Sequence, residues 1–255
     1  MFKMAPPSTM KIRRDTIGLA VDGSLMRLHV VRPISEQRCP GILFYSDIYQ
    51  LGDPMKRLAE RLAGYGYVVA APEIFHRLEP IGSVIEPDGV GRLRGNDNAS
   101  KTCVADFDAD ATAVLAWLAG DSGVEATRLG AIGFCIGGHL AFRAAFNPEV
   151  RATACIYPTG LHDGKLGRGV VHSLQRADQI RGALLIIFGS SDPHVPQEAR
   201  NGIMAALAAI PTLRHHMVLY QADHTFMRDD GDRWDPECAD HAWSEVINFF
   251  HQELI

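Results

Sequence analysis

The chain has 255 residues, 47% hydrophobic and 22% charged, with a formal net charge of −5. That is the make-up of a soluble globular protein with enough apolar residues for one full-sized core. It carries no basic stripe suited to nucleic acid and no apolar run long enough to span a membrane. Residues 1–15 include basic side chains but no apolar stretch behind them, so they do not read as a secretory signal. The five cysteines (Cys39, Cys103, Cys135, Cys155 and Cys238) are an odd set without a C-x-x-C pair. That argues against a disulfide framework or zinc ribbon and points to a reducing cytoplasm.

Residues 16–21 and 25–31 read as two strands joined by a turn at Asp22-Gly23. Residues 41–45 read as a short buried strand. Met55, Leu58, Ala59 and Leu62 then fall at helical spacing, and Gly64 and Gly66 end that helix. Residues 67–71 form another apolar run, closed by Pro72. Residues 76–100 are rich in Gly, Pro, Asn, Asp and Arg and lack periodicity, so they read as a long surface excursion, a kind of loop often tied to function or acting as a lid. From Lys101 a helix presents Val104, Phe107, Ala111, Val114, Leu115 and Leu118 on one face.

Residues 128–132 are an apolar strand, and a helix follows with Ile136, Leu140, Ala141, Ala144 and Ala145 inward. Residues 152–157 and 183–188 are strands. Residues 196–210 are a helix with Ala199, Ile203, Ala206, Leu207 and Ile210 inward. Residues 214–220 are the last strand, and Trp243, Val246, Ile247 and Phe250 mark a closing helix. This alternation predicts the α/β class: a mainly parallel sheet covered by helices on both faces, after an N-terminal antiparallel hairpin. No repeat or linker interrupts it, so one domain over residues 1–255 is expected.

The segment Gly133-Phe134-Cys135-Ile136-Gly137-Gly138-His139 joins a strand to a helix. A reactive side chain flanked by glycines at such a turn is the nucleophile-elbow pattern, here with a thiol instead of a hydroxyl. Asp192 and His224 also fall just past strands, where active sites of α/β sheets gather. The order nucleophile, acid, histidine is that of α/β-hydrolase triads. Cys135 would attack as thiolate, favoured by the N-terminus of the helix behind it. His224 would carry the proton, and Asp192 would orient the imidazole and stabilise its cation. Asp223 competes for the acid's role but is adjacent to His224 in the chain, and neighbours rarely point the same way. The backbone N–H groups of Ile48 and Ile136 are the candidate oxyanion donors; losing one such donor costs on the order of 3 kcal/mol in barrier. Cys155, mid-strand, reads as a buried apolar residue, His194 as a surface residue of the acid loop, and His215-His216 as solvent-facing. No histidine and carboxylate grouping has metal-ligand spacing.

Three segments together, Gly133 to Gly138, Phe188-Gly189 to Pro196, and His224-Thr225-Phe226-Met227-Arg228, resemble the dienelactone hydrolase family (carboxymethylenebutenolidases). The similarity runs from about Gly41 to the C-terminus. It implies an α/β-hydrolase fold and cofactor-free opening of an enol-lactone or a related ester. It matches Cys135, Asp192 and His224 to the triad, and Ile48 and Ile136 to the oxyanion donors. It also matches Arg228 to an arginine that grips the substrate carboxylate, for which Arg geometry is suited; the alternative is a solvated charge beside Asp229 and Asp230. Two positions depart from the family. Asp47 stands where the family has a glutamate that interacts with the resting thiol, so Asp47 either serves that purpose or shapes its loop. The family's second carboxylate-binding arginine has no clean counterpart: Arg94 is the chosen candidate, with Arg92 and Arg77 as alternatives.

The expected function is hydrolysis of a small, carboxylate-bearing ester or lactone through a thioester. The expected setting is the cytoplasm, as a monomer or weak homodimer, without cofactor, metal, membrane or nucleic acid. The competing classes are a non-catalytic ligand binder on a hydrolase scaffold and a redox-responsive thiol protein.

Overall fold

A computed structural model describes residues 10–255. The first nine residues of the 1–15 segment lie outside the described residues.

Eight strands form one sheet: β1 (Ile12–Val21), β2 (Ser24–Pro33), β3 (Cys39–Tyr45), β4 (Val68–Pro72), β5 (Val124–Phe134), β6 (Val150–Ile156), β7 (Ala183–Gly189) and β8 (His215–Tyr220). Their spatial order is β1-β2-β4-β3-β5-β6-β7-β8. The β1–β2 and β2–β4 pairs are antiparallel, and every pair from β4 to β8 is parallel. This is the expected α/β-hydrolase architecture. β3, β4 and β7 are buried along their whole length, whereas β1 at one edge alternates. Central strands covered on both faces read as continuous apolar runs, which is why they were legible in the sequence. The hairpin extends further than its apolar pattern predicts. Its extra pairs run to Ile12 opposite Pro33, where Arg14 binds Glu60 and Arg32 binds Asp15 and Asp121. Charged edge residues carry no hydrophobic period, so that part of the hairpin was hidden.

Helices α1 (Asp53–Gly64) and α6 (Pro236–Leu254) cover one face, with Met55, Leu62, Trp243 and Phe250 in its core. Helices α3 (Val104–Gly120), α4 (Ile136–Ala144) and α5 (Gln197–Ala208) cover the other, with Val114, Leu118, Leu140 and Ile203 buried. Among the described residues, no helix is long and apolar enough to cross a membrane.

The 76–100 segment differs from its expectation. Its second half is a helix, α2 (Gly89–Lys101), started by Asp88, whose carboxylate accepts the Gly91 N–H at 2.7 Å. Its buried positions are Gly91, Gly95, Asn98 and Ala99, so it has no apolar stripe to detect. It packs backbone against backbone: a Cβ at Gly95 would stand 2.6 Å from the Ile48 carbonyl oxygen. Glycine is the residue that lets α2 lie this close to the loop after β3. That contact makes α2 one wall of the cavity described next.

Candidate active site

Cys135 is the hinge between β5 and α4. Its backbone takes φ 58° and ψ −121°, a strained conformation for a residue with a Cβ. Three hydrogen bonds hold it there. Cys135 N–H donates to the Ile156 carbonyl at 3.1 Å, and its own carbonyl accepts from Gly138 at 3.0 Å and from Thr159 at 3.2 Å. The elbow presses on the loop after β3: a Cβ on Gly137 would lie 2.2 Å from the Ser46 carbonyl oxygen. That contact imposes Gly137, while a Cβ on Gly133 would meet the Gly137 carbonyl oxygen at 1.9 Å, and the result is a thiol presented at the carboxyl end of the sheet.

His224 follows β8 and Asp192 follows β7. The fold brings them together: His224 Nδ1 stands 2.7 Å from Asp192 Oδ2, with Asp192 2% and His224 3% exposed. The other Asp192 oxygen accepts the His194 N–H at 2.8 Å. Asp223 is occupied elsewhere; it accepts the backbone N–H of His224 at 2.6 Å and pairs with Arg233 at 3.4 Å. Nε2 of His224 is buried without a conventional hydrogen-bond partner and has the Cys135 sulfur as its neighbour. Burial disfavours the charged imidazolium, but the Cys135 charge and the Asp192 hydrogen bond outweigh it, and the His224 pKa rises from 6.5 to about 10. Burial works against the Asp192 carboxylate too, yet its bond to His224 brings its pKa below the usual value. The imidazole is clamped edge-on by Tyr157 at 5.1 Å and His194 at 4.6 Å between ring centroids. His194 is exposed, as expected, but it also touches His224.

A cavity of about 1020 Å³ opens over this group, lined by Cys135, His224, Ile48, Ile136, Arg228 and Arg92 among others. Ile136 is the first residue of α4, so its N–H has no acceptor within the helix. The Ile48 N–H makes no hydrogen bond among the described residues. Both residues line the same cavity as Cys135.

A model of the dienelactone hydrolase family matches residues 26–254. The chain belongs to that family. A carboxymethylenebutenolidase from a Pseudomonas species is 30% identical over 240 residues, covering 91% of this chain and 93% of that protein. A Saccharomyces cerevisiae protein provisionally named carboxymethylenebutenolidase is 34% identical over 249 residues, covering 91% and 88%. A Klebsiella pneumoniae crystal structure, provisionally described as a dienelactone hydrolase, superposes with a TM-score of 0.82 at 25% identity over 95% of this chain and 99% of that one. The chain is thus a dienelactone hydrolase-like hydrolase, resembling carboxymethylenebutenolidase.

Two expected contacts of this dienelactone hydrolase family member need correction. Of the two readings of Asp47, its hydrogen bonds fit the shaping of its own loop, with Arg228 in place of the thiol as its side-chain partner. Asp47 is 2% exposed, one oxygen accepts the Tyr49 N–H at 2.9 Å, and the other binds Arg228 Nη1 at 2.6 Å. Burial raises the Asp47 pKa above its ordinary value, and the adjacent Arg228 guanidinium offsets part of that rise. A short carboxylate beside a buried cation stays with the cation. Arg228 is accordingly no solvated surface charge: it is 4% exposed, also pairs with Asp230 at 2.8 Å, and lies 5.1 Å over the Tyr49 ring.

Arg94 does not line the cavity. It is bound to Glu79, which also accepts from Asn98 at 2.5 Å. Arg92 lines the cavity instead and makes no ion pair among the described residues. Residues two positions apart on a helix lie about 200° apart around its axis, so Arg92 and Arg94 must point to different sides. Arg77 is engaged by Asp110 at 2.8 Å. The sequence reading missed Tyr157 and Thr159, which follow β6 and border the thiol and imidazole. Tyr157 has φ 37°, a strain that no local sequence pattern announces. Among the described residues, no group of three or more His, Cys, Asp or Glu side chains is placed to hold a metal ion.

Proposed function

We propose that this protein hydrolyses a small carboxylate-bearing ester or lactone through Cys135, His224 and Asp192, as one catalytic domain in a reducing cytoplasm. The observation that carries the reading is the buried 2.7 Å contact of Asp192 with His224 Nδ1, which leaves Nε2 without a protein partner among the described residues, in a residue that lines the same cavity as Cys135. His224 holds the thiol proton as imidazolium, and the thiolate attacks the carbonyl carbon. The oxyanion that forms meets the N–H groups of Ile48 and Ile136. Collapse breaks the C–O bond, the alkoxide or enolate takes the proton from His224, and a thioester remains on Cys135. Water then gives a proton to Nε2 and attacks the thioester carbon. The C–S bond breaks, the acid leaves, and the proton returns to sulfur. In a lactone both products are one molecule, so ring opening leaves the new hydroxyl on the acyl group.

The carboxylate preference is supported by the cations of the cavity. Arg228 already carries two carboxylates, Asp47 and Asp230, while Arg92 carries none. An anionic substrate therefore meets Arg92 without displacing a protein partner, with Arg228 contributing its charge from behind. The test is a panel of cis- and trans-dienelactone, neutral aryl esters and thioesters with the wild type and Cys135→Ala. Turnover with wild type, none with the variant, and an acyl adduct on Cys135 by mass spectrometry are expected. Undiminished hydrolysis by Cys135→Ala would end the proposal.

A further inference from the structure

The last residue of the elbow motif, His139, lies on α4 and is completely buried. Its hydrogen-bond chain fixes its tautomer. Arg143 Nη1 can only donate, and it binds Ser173 Oγ at 2.9 Å. Ser173 therefore has its proton for His139 Nε2 at 2.8 Å, and Nε2 accepts. Nδ1 must then carry the hydrogen, and it donates to the Thr159 carbonyl at 3.1 Å. Burial and the Arg143 charge lower the His139 pKa from 6.5 to about 3, so the ring stays neutral through the working pH range. The far end is tied down as well, because Arg143 grips Asp108 through two bonds of 2.8 and 2.5 Å.

Thr159 is thus held on both backbone faces. Its carbonyl is bound by His139, and its N–H donates to the Cys135 carbonyl at 3.2 Å. What remains free is the side chain, and its Oγ1 stands 3.9 Å from Cys135 Sγ, at the edge of the same cavity. No carboxylate competes for that place, since both oxygens of Asp47 are taken by Arg228 and Tyr49. A hydroxyl suits an anionic sulfur: it donates a hydrogen bond, where a carboxylate would repel the charge.

We propose that the Thr159 hydroxyl is the hydrogen-bond donor to the Cys135 thiolate, and that His139 is a positioning residue that holds Thr159 in place. This deepens the reading of Cys135 as nucleophile and rests on it. The same donor serves both halves of the reaction. It steadies the thiolate before attack, and it steadies it again when sulfur leaves the acyl group as water adds.

The test reads the thiol directly. Full-length protein is alkylated with iodoacetamide across a pH series, and labelling of Cys135 is followed by peptide mass spectrometry, which separates it from the other cysteines. Thr159→Val keeps the shape and removes the hydroxyl. Its Cys135 pKa should rise, with labelling at neutral pH slowed roughly three- to tenfold, a modest value for a hydrogen bond this long. Thr159→Ser should restore the rate. His139→Leu should slow labelling in the wild-type background and add nothing in the Thr159→Val background. Ser173→Ala, a smaller change to the same chain, carries the same expectation if the leucine variant does not fold. A titration unmoved by Thr159→Val would overturn the donor. Equal slowing by His139→Leu or Ser173→Ala in both backgrounds would overturn the positioning. Neither result bears on whether Cys135→Ala is inactive, so the two proposals fail separately.

Discussion

Replacing Asp192 by Asn tests the heart of the site at nearly constant volume. The carboxylate is buried, 2.7 Å from His224 Nδ1, and has no cation for partner other than that imidazole when protonated. With charge centres roughly 4 Å apart and an effective dielectric constant near 20, the attraction is about 4 kcal/mol. At 1.36 kcal/mol per decade, its loss predicts about a thousandfold fall in kcat/KM. The amide also presents N–H to Nδ1, which turns the ring so that Nε2 carries the hydrogen and cannot take the thiol proton. The His224 pKa, raised to about 10 in part by Asp192, should fall toward its ordinary value. Steady-state hydrolysis of an aryl ester and His224 titration by NMR read the two effects. Asp223→Asn is the control, because that carboxylate binds a backbone N–H and Arg233; it should stay within a few-fold of wild type. A loss of less than tenfold in Asp192→Asn, or a larger loss in Asp223→Asn, would refute the assignment of the acid.

Arg92→Ala should raise KM for anionic esters at least tenfold and leave neutral esters unaffected, while Arg94→Ala should do neither; parallel KM values on both substrate types decide it. Asp47→Ala leaves Arg228 with only the half-exposed Asp230, and denaturant unfolding should show about 3 kcal/mol of lost stability. Gly137→Ala drives a Cβ into the Ser46 carbonyl, which is backbone and cannot swing aside, so a loss of about 2 kcal/mol and displacement of the thiol are expected; an unchanged melting temperature counts against this packing. The folded-state pKa of His224 lies above its ordinary 6.5, so its stabilisation is complete below that pH and is lost as pH rises toward about 10. Unfolding free energies from urea titrations should therefore decline across that window, at no more than about 1.4 kcal/mol per pH unit, and decline less in Cys135→Ala.

The strands β3 to β7 and the triad candidates were legible because each rests on a local signal. Apolar runs such as those ending at Tyr45 and Phe134 mark strands, and glycines around Cys135 mark a turn with no room for side chains. The chain order of Cys135, Asp192 and His224 supplied their roles. Helix α2 was illegible because Gly91 and Gly95 pack it by backbone contact, so no periodic apolar face exists to be read. Without that helix there was no axis about which to separate Arg92 from Arg94. Thr159 and His139 escaped for another reason. Their contacts cross 20 residues of sequence, and neither residue type is unusual where it stands.

Composition and periodicity by themselves determined the class of the sheet, the elbow motif and chain order marked the three residues expected to do the chemistry, and the resemblance of three motif segments pointed to the family. These are properties of short segments, in which backbone sterics and hydrophobic spacing act between near neighbours. Only the folded chain decided whom Asp47 and Arg228 pair with, which arginine faces the cavity, and what touches the sulfur. Those outcomes depend on charges and hydroxyls brought together from distant loops, where a difference of one helical turn or one methylene selects a different partner.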